Sequence, residues 1–191
     1  DADFYYNSYK NFIAQVEASI PNTTDPNQIP TALYSKNSQN RYRLWTNSKS
    51  KIYNYGGSLG LKYRFDPTFT ALTNVTYTKL DRTDDKDGLE DGFNTPEFNI
   101  NGTLIVNNIW KNLGASATAR YQNNFDYVSF LVSGTVPAYW SMDAQINYNF
   151  KKIGLTTKLG GTNILNKPYN SILGGPSIGG LYYLSLVWET M

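Results

Sequence analysis

Apolar and polar residues alternate one by one along much of this chain. From Trp140 to Phe150, every even-numbered residue is apolar and every odd-numbered residue is polar. Because successive side chains of a β-strand point to opposite faces of a sheet, the pattern predicts a strand with one apolar and one polar face. A helix would mix the two kinds of residue on every side.

The alternation recurs along the chain and predicts an all-β, antiparallel fold of about eight strands, without a convincing helix. The predicted strands lie near 4–18, 53–65, 69–78, 98–107, 113–122, 140–150, 155–170 and 182–189. Turn-forming Pro, Gly, Asn and Asp separate these segments. We expect short turns near 66–67, 110–112 and 151–154, and long loops near 19–40, 81–95, 123–138 and 170–180.

Short turns at one rim and long loops at the other are typical of a transmembrane β-barrel of the outer membrane. Several segments exceed ten residues, which suits the roughly 9–11 residues of a membrane-spanning strand better than the roughly 5–6 of an ordinary strand. Aromatic residues such as Phe65, Trp140 and Phe150 cluster near strand ends, where membrane barrels carry aromatic girdles. A soluble β-sandwich, whose strands also alternate, is an alternative to the barrel.

Composition and charge exclude several kinds of functional site. The 191 residues include no Cys and no His, which excludes a zinc finger, a disulfide framework, a thiol nucleophile and an imidazole base. Lys and Arg total 17 against 15 Asp and Glu, so the chain lacks the basic excess typical of nucleic-acid binding. We expect no catalytic residue, no cofactor, no metal site and no enzymatic activity.

The acidic segment 81–91 is a candidate cation-binding loop. An EF-hand loop carries oxygen ligands before a fixed glycine and ends on glutamate. Alignment on Gly88 puts Thr83 first and Asn94 last, so the segment fails this test. We interpret it as a solvated loop.

The later part of the chain carries recognisable segments. Residues 139–148 read YWSMDAQINY and residues 158–169 read KLGGTNILNKPY, followed by a glycine-rich loop and strand at 174–183. These segments resemble the x-x-D-A-x-I-x-Y strand, the N-L-F-N/D-K-x-Y segment and the final loop and strand of TonB-dependent receptors, especially those of Bacteroidota. Barrels of this family have 22 strands and a plugged lumen. The resemblance implies that residues 1–191 are one barrel segment, about the last third, without the plug and early strands.

The resemblance implies a function as well as a fold. It implies an outer-membrane receptor of a Gram-negative bacterium that takes up a nutrient, with this chain supplying barrel wall and extracellular loops. The implied partners are outer-membrane lipid and, through the missing plug, a TonB-type energy-transducing protein. A surface lipoprotein lid also fits this kind of receptor. The first residues do not resemble a signal peptide, so we expect a mature chain or a fragment.

The main alternative is a complete eight-stranded barrel that acts as an anchor or adhesin. The interior of such a small barrel is filled by its own side chains. The polar faces here are mostly Asn, Ser, Thr and Gly, which favours a wider lumen.

Two sets of side chains are candidates for functional contacts. The first set comprises loop aromatics that could contact a ligand or merely pack against other loops, and its members are Tyr34, Trp45, Tyr127 and Phe130. The second set comprises polar residues predicted to face the lumen, where they could contact substrate or plug or pair with each other. Its members are Arg120, Asp143, Gln145 and Asn147.

Overall fold

The computed structural model describes residues 1–83, 87, 89, 92–129 and 132–189, without the side chains of Glu17 and Lys36. The fold is almost entirely β-structure. In chain order the strands are β1 (Ala2–Tyr9), β2 (Ile13–Pro21), β3 (Gln39–Asn47), β4 (Ile52–Arg64), β5 (Phe69–Arg82), β6 (Phe98–Trp110), β7 (Leu113–Gln122), β8 (Phe125–Val128), β9 (Ser133–Val136), β10 (Tyr139–Phe150), β11 (Leu155–Thr162) and β12 (Leu181–Trp188).

Eight of the strands form one antiparallel sheet, in the order β1-β4-β5-β6-β7-β10-β11-β12. The remaining strands form two hairpins, β2–β3 and β8–β9, inside two of the long connections. Strands β1 and β12 are the edges of the sheet, and within the described residues they do not pair with each other. The barrel wall is therefore open in this chain.

The register keeps one face apolar across the whole sheet. One row of cross-strand partners consists of Leu104, Ala117, Ala144, Gly161 and Tyr182. A row on the opposite face, three residues along each strand, runs through Asn101, Arg120 and Ser141. The alternation predicted from the sequence therefore builds a two-faced wall, because each strand pairs without a slip that would exchange its faces.

Within the described residues, no protein layer covers the apolar face. The buried hydrophobic side chains are few and mostly lie outside the sheet: Ala14, Ala32, Ile52, Phe125 and Val136. Large apolar side chains of the sheet are instead exposed, as Leu104 (60%) and Leu184 (65%) illustrate. A soluble sandwich would bury this face against a second sheet, so the structure agrees with a face that meets lipid.

Short and long connections alternate as predicted. Sheet strands are joined by short turns at 65–68, 111–112 and 151–154 and by long connections at 10–51, 83–97, 123–138 and 163–180. The turn at 111–112 has positive φ at both residues, 40° and 76°, which matches the right-handed twist of a two-residue hairpin. Strand β1 starts and strand β12 ends towards the rim that carries the short turns.

Three predictions about elements were wrong. The predicted strand 4–18 is two strands, because Asn11 adopts a left-handed conformation (φ 55°) that separates β1 from β2. The predicted strand 155–170 ends at Thr162, where Asn163 (φ 46°) turns the chain out of the sheet. A six-residue helix, α1 (Ile29–Tyr34), lies inside the first long connection, where no helix was expected.

The spacing of the aromatic girdles fits a bilayer. Trp140 and Phe150 lie ten residues apart on the apolar face of β10. At about 3.4 Å per residue and a tilt of roughly 40°, they are separated by about 26 Å along the membrane normal, close to the roughly 25 Å apolar band of outer-membrane barrels. Among the described helices, none is long and apolar enough to cross a membrane.

Candidate functional site

The polar face of the sheet carries the four predicted lumen residues. Arg120 on β7 and Asp143 on β10 form an ion pair, with Nη1 and Oδ2 2.5 Å apart. Gln145 accepts a hydrogen bond from the Tyr183 hydroxyl at 2.9 Å. Asn147 lies against Gly114 on β7, where a Cβ atom would approach its Oδ1 to 2.8 Å. All four lie on the polar face, and Arg120, Asp143 and Asn147 contact the adjacent strand.

Asp143 also holds the start of the last long connection. Its Oδ1 accepts the Asn163 backbone N–H at 2.9 Å. Asn163 is 2% exposed, and its Nδ2 donates to the carbonyl oxygens of Lys167 (2.9 Å) and Ile178 (3.3 Å). Asp143 thus links β10 to β7 through Arg120, and it holds the connection at 163–180 through Asn163.

Sequence reasoning missed the role of Asn163 as the centre of this network. The predicted strand 155–170 ran through this residue, although Asn is a non-glycine residue that readily adopts the left-handed conformation observed here. Asn166 follows the same rule, with φ 49°, and its Oδ1 accepts the Gly180 N–H at 2.8 Å.

A polar cavity of about 590 Å³ opens at the long-connection rim. Its walls come from the end of β5, the connection between β5 and β6, and the first residues after β7. Polar side chains dominate the lining, among them Arg82, Asn94, Glu97, Asn124 and Asp126. Because its lining is polar and it lies at the long-connection rim, this cavity is a candidate for a small-molecule contact.

Asn94 connects two of the cavity walls. Its Nδ2 donates to the Val128 carbonyl oxygen at 2.8 Å, and its Oδ1 accepts the Val128 N–H at 2.7 Å. The side-chain amide thereby pairs with β8 as another strand would. At the base of the cavity the Phe98 N–H donates to Asn123 Oδ1 at 2.9 Å.

The acidic segment has a structural role at Asp87. Asp87 accepts hydrogen bonds from the Ser48 hydroxyl (2.5 Å) and from the N–H groups of Lys49 and Leu89 (3.1 Å each). It also pairs with Arg82 at 3.2 Å. These contacts, led by the Ser48 hydroxyl, lower the pKa of Asp87 to about 2. Asp84, Asp85 and Asp91 of the same segment lie outside the described residues.

The predicted loop aromatics do not form one cluster. Tyr34 ends α1 and is 93% exposed, whereas Trp45 lies on β3 and is 66% exposed. Tyr127 lies on β8, opposite Gly134, and is half-buried. Phe130 lies outside the described residues. Their contact with a ligand stays a prediction.

In the part of the chain that the structure describes, no group of three or more acidic side chains is placed to hold a metal ion. The chain offers neither Cys nor His for such a site.

Solved structures share this architecture over nearly the whole chain. The copper transporter OprC superimposes with a TM-score of 0.66 at 11% identity, covering 97% of this chain and 28% of that protein. The FrpB iron transporter of Neisseria meningitidis gives 0.60 at 17% identity, covering 96% and 28%. The ferric enterobactin receptor PfeA of Pseudomonas aeruginosa gives 0.61 at 16% identity, covering 97% and 28%. At such identities the likeness concerns the fold.

This chain spans only about a quarter of each of those transporters. No curated protein matches it. The family model described as "TonB dependent receptor-like, beta-barrel" matches residues 1–164. The chain therefore belongs to the TonB-dependent receptors, and its match is to their β-barrel domain.

Proposed function

We propose that this chain is the barrel segment of an outer-membrane receptor that takes up a scarce nutrient with energy supplied through a TonB-type protein. The observation that carries the proposal is the continuous two-faced sheet, apolar towards lipid and polar towards a lumen, in a chain of this family. We place residues 1–191 in the wall as a single segment of about the last third of a 22-stranded barrel. The open edges at β1 and β12 support this placement.

The ligand would enter at the long-connection rim. The cavity behind Asn94 and the exposed aromatics Tyr34 and Trp45 lie on that side. Long loops of outer-membrane barrels face the outside of the cell. We infer that the cavity and these aromatics, with Tyr127 and Phe130, supply loop contacts to the nutrient.

The lumen wall would face a plug contributed by the rest of the receptor. Arg120 is half-exposed on the polar face although it is paired with Asp143, so its guanidinium is available to a further carboxylate or backbone carbonyl. We infer that Arg120, Asp143, Gln145 and Asn147 contact the plug or the passing substrate. The TonB-type protein would act through that plug, and a surface lipoprotein lid would act through the loops.

In this proposal the chain catalyses nothing, because transport requires capture and release without a bond change. The small closed barrel of the alternative reading needs its first and last strands to pair. The described residues of β1 and β12 lie at opposite edges instead, which counts against an anchor or adhesin of eight strands.

The first test is the size and location of the natural polypeptide. Outer-membrane extracts are run unheated and heated, and peptides of this chain are sought by mass spectrometry. A heat-modifiable band well above 21.6 kDa supports the receptor segment. A heat-modifiable band at 21.6 kDa, or recovery of the peptides only from the soluble fraction, overturns it.

The second test addresses transport. Cells with and without the gene are compared for uptake of labelled iron chelates, cobalamin, oligosaccharides and peptides, with and without a protonophore. Uptake of one class that needs both the gene and the proton gradient supports the proposal. Uptake that needs the gene but persists with the protonophore indicates passive diffusion and contradicts it.

A further inference from the structure

Three lysines gather on two adjacent short turns. Lys111 lies in the turn between β6 and β7, and Lys151 and Lys152 lie in the turn between β10 and β11. The two turns are neighbours along the rim, because β7 pairs with β10 and the Asn149 N–H, near the end of β10, donates to the Asn112 carbonyl oxygen at 3.2 Å. All three lysine side chains are exposed.

An exposed apolar surface adjoins these lysines. Trp110 is 68% exposed and pairs with Leu113 on the apolar face, and Ile153 is 57% exposed. The Lys111 Nζ atom lies 5.9 Å from the centre of the Trp110 ring. Trp at the edge of an apolar band, with Lys beside it, marks the level of lipid headgroups.

Within the described residues, these turns carry three lysines beside Glu189, whose N–H donates to the Gly154 carbonyl oxygen at 2.9 Å. None of the three lysines is in an ion pair there. The acidic residue of the third short turn, Asp66, accepts the N–H groups of Thr68 (2.6 Å) and Phe69 (2.8 Å) and so stabilises its own turn. Three exposed lysines therefore lie on two adjacent turns of one rim.

We propose that Lys111, Lys151 and Lys152, with Trp110, form a binding site for the phosphate headgroup of an anionic phospholipid in the membrane leaflet at the short-turn rim. The inference rests on the membrane insertion proposed above. Lipid fits better than an acidic protein, because Trp110 and Ile153 present apolar surface at the same level as the charges. A lysine near an anionic membrane surface strengthens binding about fivefold.

The test uses the complete receptor that contains this chain, purified in mild detergent and examined by native mass spectrometry. Phosphatidylglycerol or phosphatidylcholine is added, and the bound lipids are counted. The variant K111Q/K151Q/K152Q removes the proposed site. The matched control, K10Q/K49Q/K51Q, removes the same charge from exposed lysines at the opposite rim.

We expect the natural receptor to retain phosphatidylglycerol in preference to phosphatidylcholine. The triple variant should lose about 100-fold in apparent affinity, the product of three fivefold steps, while the control variant keeps it. Equal retention of the two lipids, or equal loss in both variants, overturns the site. Either result can occur in a receptor that is still inserted and heat-modifiable, so the site can fail while the proposed function stands.

Discussion

Asparagine provides most of the left-handed backbone positions among the described non-glycine residues. Of the seven described non-glycine residues with positive φ, six are Asn: Asn11, Asn94, Asn108, Asn112, Asn163 and Asn166. Asn tolerates the left-handed conformation because its short polar side chain bonds nearby backbone. The abundance of Asn thus reflects the turns and loop anchors as well as the wet lumen.

The contacts of Asp87 should make the connection between β3 and β4 sensitive to acid. The pKa of Asp87 is lowered from 3.8 to about 2. A carboxyl group whose pKa falls on folding stabilises the structure above its ordinary pKa, and the contribution is lost as pH drops from about 3.8 towards 2. Hydrogen exchange at Lys49 and Leu89, whose N–H groups Asp87 accepts, should therefore accelerate across this window after correction for intrinsic rates. In Asp87→Asn the corrected rates should not change with pH, and acid-independent protection in the natural protein would contradict the assignment.

Asp143 should protect the last long connection from hydrogen exchange. Asp143→Ala removes both the ion pair to Arg120 and the acceptor for the Asn163 N–H. Opening of residues 163–180 should become easier by about 1–3 kcal/mol, the usual cost of leaving a buried polar group unsatisfied. Exchange mass spectrometry of peptides from this region measures the effect.

Asp143→Asn is the matched control for that change. It keeps an oxygen that can accept the Asn163 N–H while it removes the charge that pairs with Arg120. We expect it to preserve most of the protection. Similar exchange in the alanine variant and the natural protein would show that Asp143 does not hold the loop.

At the scale of elements, the amide of Asn94 should join the connection between β5 and β6 to strand β8. Asn94→Gly removes the two hydrogen bonds to Val128 but accepts the positive φ of 46°. Asn94→Ala removes the same bonds and adds roughly 1–2 kcal/mol of left-handed strain. Protection of the Val128 amide should fall in both variants, and further in the alanine variant. Equal protection in all three proteins would mean that the loops are held by other contacts.

Six of the wall strands could be predicted closely because each obeys one local rule, the alternation imposed by lipid on one side and water on the other. The predictions that contained β1 and β11 ran past the ends of those strands. The hairpins β2–β3 and β8–β9 do not meet lipid, so no such rule marks them. Their strands are fixed by pairing with each other, as at Val16 with Leu44, which a pattern along one segment does not reveal. The helix α1 is too short for a clear helical period.

For the candidate site, the sequence predicted which face each residue lies on but not the contacts between distant residues. Parity along the strands predicted Arg120, Asp143, Gln145 and Asn147 as lumen-facing, and the structure places all four on the polar face of the sheet; that this face meets a lumen stays a prediction. The bridge from Asp143 to Asn163 depends on where β11 ends, and the contact of Asn94 with Val128 joins residues 34 positions apart. Neither is encoded in a local pattern.

At the scale of the whole molecule, the two faces of the wall should respond oppositely to charge. Leu104 points outwards and is 60% exposed, whereas its neighbour Ile105 lies on the polar face, opposite Ser116. Leu104→Arg puts a cation against lipid near mid-membrane and should cost about 2–4 kcal/mol of folding free energy. Ile105→Arg makes a comparable change towards the lumen and should cost much less.

The folded fraction of the complete receptor, read from its heat-modifiable band in lipid vesicles over a urea series, measures both variants. Equal sensitivity of the two positions would contradict the assignment of the faces. Greater sensitivity at Ile105 would mean that the apolar face is the interior one.

All three short turns lie at one rim, where β1 starts and β12 ends. In a wall inserted from that side, every long connection has to be carried across the bilayer as a closed loop. The connection at 10–51 includes Arg41 and Arg43 and the nine-pair ladder between β2 and β3. A paired hairpin is wider than an unfolded loop, so we expect β2 and β3 to pair only after they have crossed the bilayer. Once this charged loop has crossed, the insertion of β1 and β4 would be difficult to reverse. Withdrawal of the two strands would move the charges of Arg41 and Arg43 back through the hydrocarbon of the bilayer.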